Sequence, residues 1–245
     1  MLSPSVPSLP RFVSYADEAG HSKDPKRTYL CLAGLVAKEE SWKAFDPEWR
    51  TACAKEHVAL PFHMKHFTAF RGQFQGWSEE QRKRLLGKLV AAIRRAGAVP
   101  VGSVVSVKDY NAFSSSRKAK LKDPYFMAFQ PLTWNLVVAA SLEMPPGPVL
   151  MVFARHPEHS QGRGNSEQLW DAFRCGNPIV APFMESYETM EPKDCTPLQA
   201  ADLWAYELGH HFEVIPRGHG TSMAVQAIRR DGVKGSIYAR FHYAS

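Results

Sequence analysis

The sequence predicts an α/β protein built on a mixed sheet, and three features carry that prediction. Strand-like apolar runs at Phe12–Tyr15, Thr28–Val36, Val99–Val107 and Val149–Phe153 alternate with segments of helical period. The first two runs are joined by the short polar stretch His21–Arg27, which suits an antiparallel hairpin. Pro145-Pro-Gly-Pro148 then separates an apolar helical segment from the buried run that follows, as expected for a crossover into a new strand.

Each element has its own local reason. Phe12, Val13 and Tyr15 favour a pleated surface, and Gly20 permits a tight exit after Asp17 and Glu18. Thr28–Val36 is apolar at nearly every position, the pattern of a buried strand. From Lys38 to about His57 the spacing of Trp42, Phe45 and Trp49 predicts a helix that Pro47 breaks or kinks. Leu60–Phe67 and Arg71–Trp77 mix aromatics, histidines and cations without a period, and are expected to form a surface loop. Ser78 and Gln81 form a capping-box pattern ahead of the stripe Leu85, Leu86, Leu89, Val90, Ile93, and Gly97 ends that helix. Ser114–Lys122 reads as a basic loop, Pro124–Leu142 as an apolar helix disturbed by Pro131, and Ser166–Arg174 as a helix. Ile179–Tyr187 reads as extended, and Pro197–Gly209 as a helix capped by Thr196. A last helix at about Ser222–Arg230 and a basic, aromatic tail at Ile237–Tyr243 complete the chain.

Size and composition bound the function. A chain of 245 residues can bury a full core, and residues 11–245 are expected to form one domain behind a flexible lead-in at 1–10. No apolar run approaches the ~18 residues of a membrane span, and the Ser/Pro-rich start is no secretory signal, so a cytoplasmic location without membrane partners is expected. The four cysteines are widely separated, the pattern of reduced thiols rather than a zinc site. No glycine-rich phosphate loop is present, which leaves nucleoside-triphosphate hydrolysis and dinucleotide binding unsupported. A net charge of +6 suits a polyanionic partner without requiring one. The same holds for the face Arg82, Lys83, Arg84, Lys88, Arg94 and Arg95, which can bind phosphates or simply be solvated.

Two acids stand out. Asp17 closes a core strand, where an ionised carboxylate needs a partner, often a metal, unless it merely starts a turn. Asp202 lies inside Pro197-Leu-Gln-Ala-Ala-Asp-Leu-Trp-Ala-Tyr206, a poor place for aspartate unless a base, a hydroxyl or a shared metal accounts for it. His63/His66 and His156/His159 are H-x-x-H pairs, a spacing that arises readily by chance among ten histidines. The rings Phe67, Phe70, Phe74 and Trp77 interleave with Lys65 and Arg71, a mixture suited to base stacking or to core packing.

Asp17-Glu-Ala-Gly20 and Leu198-Gln-Ala-Ala-Asp-Leu-Trp-Ala205, with Phe62-His-Met-Lys65 between them, resemble the signatures of a prokaryotic family catalogued as domain of unknown function 3800. The resemblance spans residues 11 to about 212. It implies a ribonuclease-H-like fold and a metal-dependent nuclease acting on DNA or RNA. It further implies that Asp17 and Asp202 are metal ligands for Mg²⁺ or Mn²⁺, with Glu18 a weaker third and His63 an active-site neighbour. Hard cations of this kind favour oxygen ligands, and a pair of them activates water against a phosphodiester.

The chain departs from that pattern at one position. Many relatives carry a carboxylate after the strand Val149–Phe153, whereas here the residue is Ala154, which cannot ligate a cation. The site is therefore expected to be inactive or weakened, either as a naturally degenerate member or through an introduced Asp→Ala replacement. The competing expectations are a catalytically silent nucleic-acid-binding module and a protein-interaction domain in which Asp17 and Asp202 only pair structurally.

Overall fold

A computed structural model describes residues 9–20, 28–121, 123–143, 145–155, 166–214 and 237–241. Its centre is a six-stranded mixed sheet in the order β5-β4-β1-β2-β3-β6. The strands are β1 (Phe12–Ala19), β2 (Tyr29–Lys38), β3 (Val99–Ser106), β4 (Val149–Ala154), β5 (Met184–Met190) and β6 (Ile237–Phe241). β2 lies antiparallel between β1 and β3, while β4 runs parallel to β1, β5 to β4, and β6 to β3. With helices on both faces, this is the ribonuclease-H-like architecture that the motif resemblance implied.

The two faces follow from strand alternation. On one, Val13, Leu150, Val152, Ala154, Cys31, Ala33 and Leu35 share a core with α1 (Glu39–Lys55), α2 (Met64–Thr68) and α3 (Glu79–Arg95). The long helix α8 (Thr196–Val214) packs on this same face and inserts Leu198, Leu203, Trp204 and Leu208. Between α3 and α8 in the chain lie α4 (Val107–Asn111), α5 (Ser115–Leu121), α6 (Pro124–Ser141) and α7 (Ser166–Gly176). The opposite face buries Phe12, Ala16, Leu30, Leu32, Met151 and Phe153 under α6 and α7, with Phe129, Leu132, Leu136, Trp170 and Phe173.

Several elements match expectation closely, and others depart for identifiable reasons. The Ser78–Gln81 capping box is formed in both directions, and Gly97 adopts φ 63° at the end of α3. Gly20 leaves β1 with φ 90°, where a Cβ would meet the Tyr29 carbonyl oxygen at 2.6 Å. Pro47, by contrast, does not break α1, which runs unbroken through it. Pro47 is exposed, so the i−4 carbonyl it leaves without a donor lies on the water side, while Trp42, Phe45 and Trp49 hold the other side in the core.

The 60–67 segment is not a surface loop: it contains α2 and buries Phe62, Met64 and Phe67. In place of the loop expected from Ser114, Ser115–Leu121 forms α5, its first turn capped by the Ser114 hydroxyl, which accepts from the Arg117 N–H. The extended segment expected at Ile179–Tyr187 begins later, at Met184, after a 3₁₀ turn at Ala181–Phe183. α8 runs on past Gly209 to Val214, with Gly209 lying over Cys31 and Ala19 instead of ending the helix. Ile237–Phe241 is not a tail; it pairs in register with Val101–Val105. The residues 21–27 connection, most of the expected lead-in, the His156–Gly164 loop with both its histidines, and the 222–230 helix lie outside the described residues. Among the described residues no helix is long and apolar enough to cross a membrane.

The basic face of α3 is largely neutralised by acids of α1 and of its own first turn. Arg84 and Lys88 both grip Glu56, Arg82 pairs with Glu79 at 2.8 Å, and Arg95 pairs with Glu48. The double grip on Glu56 holds its pKa down to about 2. Because the folded pKa lies below the unfolded value near 4.5, this contribution to stability is present above pH 4.5 and fades as pH falls towards 2. Glu56→Gln should therefore lower the melting temperature at neutral pH, with the difference from the unmodified chain closing near pH 2 in paired thermal scans.

Candidate active site

The site forms where β1 and β4 end side by side. Their parallel register pairs Tyr15 with Val152 and Ala16 with Phe153, so one step further Asp17 stands beside Ala154. Adjacent strands lie about 4.8 Å apart, and alternation turns both side chains towards the face covered by α8. Asp17 is 7% exposed, and its Oδ1 accepts the Glu18 N–H at 2.7 Å. By strand alternation Glu18, one residue on, belongs to the opposite face, and Tyr125 near the start of α6 feels both the Glu18 and the Asp17 charge.

α8 supplies the second half of the site through two side chains one turn apart. Gln199, fully buried, accepts at Oε1 from the Phe62 N–H (3.0 Å) and the Trp49 indole N–H (3.2 Å), and its Nε2 donates to the Pro192 carbonyl (2.9 Å). Asp202 accepts at Oδ2 from the Met64 N–H at 2.9 Å. The helix thus binds alternate N–H groups of the 62–64 strand-like entry to α2 and leaves His63, between them, facing outwards. This explains why an amide and an acid sit three residues apart on an otherwise apolar helix. Gln199→Leu would leave two buried donors without acceptors and should destabilise the fold by about 2–4 kcal/mol, read as a fall in the denaturant midpoint at constant m.

His63 lies beside Asp202. Its Nδ1 lies 3.7 Å from Asp202 Oδ2, an ion pair rather than a full hydrogen bond. Asp202 raises the His63 pKa most; burial opposes that shift, and the Asp17 charge adds a smaller pull in the same direction. The imidazole therefore senses both carboxylates. His66 lies next to it, with ring centroids 5.9 Å apart. Beyond His66, Thr68 Oγ1 and the Tyr206 hydroxyl are hydrogen-bonded at 2.9 Å. The rings around His63 divide between two roles. Phe62, Phe67 and Phe74 are core side chains packed tilted or edge-to-face at 5.2–6.0 Å, and their burial leaves no stacking surface. Phe70 is instead covered by the Arg82 guanidinium at 4.9 Å.

Asp17 and Asp202 offer carboxylate oxygens, which fit Mg²⁺ or Mn²⁺ that keep part of their water shell. The number of donors falls short of a two-ion centre. Among the described residues no three His, Cys, Asp or Glu side chains gather into a metal cluster. A separate cavity of about 160 Å³ lies at the far end of the same strands, lined by Phe12, Val36, Lys38, Gly97 and Glu143, and shares no residue with this site.

No family model matches the chain, and no curated protein matches it. Among solved structures it is similar to Bst-RNase HIII in complex with Mn²⁺, at 13% identity and a TM-score of 0.46, over 91% of this chain and 63% of that one. It is also similar to the ribonuclease H2 from Pyrococcus horikoshii OT3, at 12% identity and a TM-score of 0.40, over 88% of this chain and 83% of that one. The chain thus spans less than two thirds of the ribonuclease HIII it matches. The fold assignment rests on the strand order and pairing described above.

Proposed function

We propose that the chain is a divalent-metal-dependent phosphodiesterase acting on DNA or RNA, and that Ala154 weakens or silences its cleavage. It is read as a member of the family that its motifs resemble. The observation that carries this reading is the placement of Asp17, position 154 and the Asp202 helix on one sheet face, at the carboxyl ends of the parallel strands β1 and β4. Ligands of open α/β sheets gather at such ends. Asp17 and Asp202 would hold Mg²⁺ or Mn²⁺. The bound ion would polarise the phosphodiester and lower the pKa of a water. The protein's own contributions are orientation and charge: Gln199 fixes the His63 segment, and His63 stands at the mouth beside Asp202.

Ala154 also favours a second reading, a nucleic-acid-binding module without cleavage, because a missing ligand removes chemistry while leaving a binding surface. Ala154→Asp separates the two. Metal-dependent cleavage of a nucleic acid by that variant supports the first. Binding without cleavage in both forms, with Mn²⁺ or Mg²⁺ supplied, leaves only the second.

A further inference from the structure

Asp202, Tyr206 and His210 recur every four residues along α8, which places the two rings one and two turns beyond the acid, about 6 and 12 Å along the axis. Most of that helix is buried, yet this stripe is not: Asp202 and Tyr206 are half-buried and His210 is exposed. The Tyr206 and His210 rings are held nearly parallel, 6° apart in plane with centroids 6.4 Å apart. Tyr206 is tethered to Thr68 at 2.9 Å, and the Arg82 guanidinium donates to the Thr68 carbonyl at 3.4 Å. Lys65 and Arg71 on the neighbouring α2 region are exposed, and among the described residues no ion pair engages either.

We propose that Tyr206 and His210 form a stacking platform for an unpaired nucleobase of a strand whose phosphate lies at Asp17 and Asp202. The inference rests on the nuclease reading and specifies how the substrate strand is held. A base offers a flat π-face to any aligned ring, and stacking of this kind is tolerant of sequence. Phe62, Phe67 and Phe74 are core side chains, Phe70 is covered by Arg82, and Trp77 packs edge-on against Phe67 and Phe74, whereas Tyr206 and His210 are aligned in parallel. Lys65 and Arg71 supply cations for the adjacent phosphates without breaking an existing pair, unlike the engaged cations of α3. A duplex keeps its bases stacked on one another, so the platform selects single strands, frayed ends or junctions. The proposed contact is non-covalent.

The test uses the full chain and a short single-stranded oligonucleotide carrying one 2-aminopurine, as DNA and as RNA, with Ca²⁺ supplied as a hard cation and again without divalent metal. The unmodified chain should bind and change the 2-aminopurine fluorescence through stacking, while a duplex of the same sequence should show a much smaller change. Tyr206→Leu, which keeps apolar bulk, should lose about tenfold in affinity together with the fluorescence change. Tyr206→Phe should keep most of both, and His210→Ala should lose a smaller share. Thermal melting of each variant checks that the fold is kept. Tight binding by Tyr206→Leu with an unaltered fluorescence change would overturn the platform and leave the nuclease reading standing. No binding of any oligonucleotide by the unmodified chain at low salt, with Ca²⁺ or without it, would overturn both. Stacking that persists while Ala154→Asp fails to cleave any substrate would support the platform and overturn cleavage alone.

Discussion

Ala154→Asp should give the chain a metal-dependent nuclease activity at least about 100-fold above that of the unmodified chain, equivalent to about 3 kcal/mol of transition-state stabilisation. The physical case is local. Position 154 is buried beside Asp17 in the parallel β1–β4 register, so the new carboxylate enters the face covered by α8 without rearranging the backbone. Two carboxylates on neighbouring strands repel each other, and without a cation the variant should lose about 1–3 kcal/mol of stability. Mn²⁺ should reverse this loss, because an ion that binds only the folded state stabilises it by mass action, about 2.7 kcal/mol at a hundred times its Kd. Differential scanning with and without Mn²⁺ therefore reads the site independently of turnover. A variant that melts lower than its parent and is not rescued by Mn²⁺ or Mg²⁺ would mean that Asp17 and residue 154 do not share an ion. Rescue without cleavage would place the ion correctly and remove the phosphodiesterase.

What the sequence makes legible here is whatever is encoded within one turn or one strand. The β1–β2 hairpin is visible because both partners are apolar and close in the chain, and α3 because Ser78, Gln81 and Gly97 mark its ends chemically. Asp17 and Asp202 stand out because each is an acid in an apolar setting. The Phe62–Phe67 segment was not legible as core because its burial is imposed from a distance. Gln199 and Asp202, more than 130 residues later, bind its backbone, and no local period records that. The basic face of α3 was visible as charge, but its neutralisation depends on Glu48 and Glu56 contributed by α1. The strand at Ile237–Phe241 was hidden for the same reason, since a short segment becomes a strand only by pairing with β3, far earlier in the chain. Glu18 shows the converse. Its face is fixed by the strand period alone, and adjacency to Asp17 in sequence carries it away from Asp17 in space.

Asp202 has two possible duties, and isosteric replacement separates them. As a structural acceptor it satisfies the Met64 N–H at 2.9 Å, and as a charge it faces His63. Asp202→Asn keeps a carbonyl oxygen for the Met64 N–H and removes the charge, so its stability should stay within about 1 kcal/mol of the parent. Asp202→Ala removes both, strands a part-buried N–H and should cost about 1–3 kcal/mol. Placed in the Ala154→Asp background, the two variants should be equally dead in metal-dependent cleavage, losing at least about 100-fold, although they differ in stability. The Mn²⁺-dependent rise in melting temperature should vanish in both. A purely structural Asp202 predicts another ordering: Asn behaves like the parent in every assay, and Ala alone is impaired, in proportion to its loss of fold. The comparison thus turns on whether activity follows the charge or the hydrogen bond, and the amide at Gln199 supplies the reference. Gln199 binds the same segment through neutral contacts alone, so its loss should lower stability and leave the metal response of the folded fraction intact.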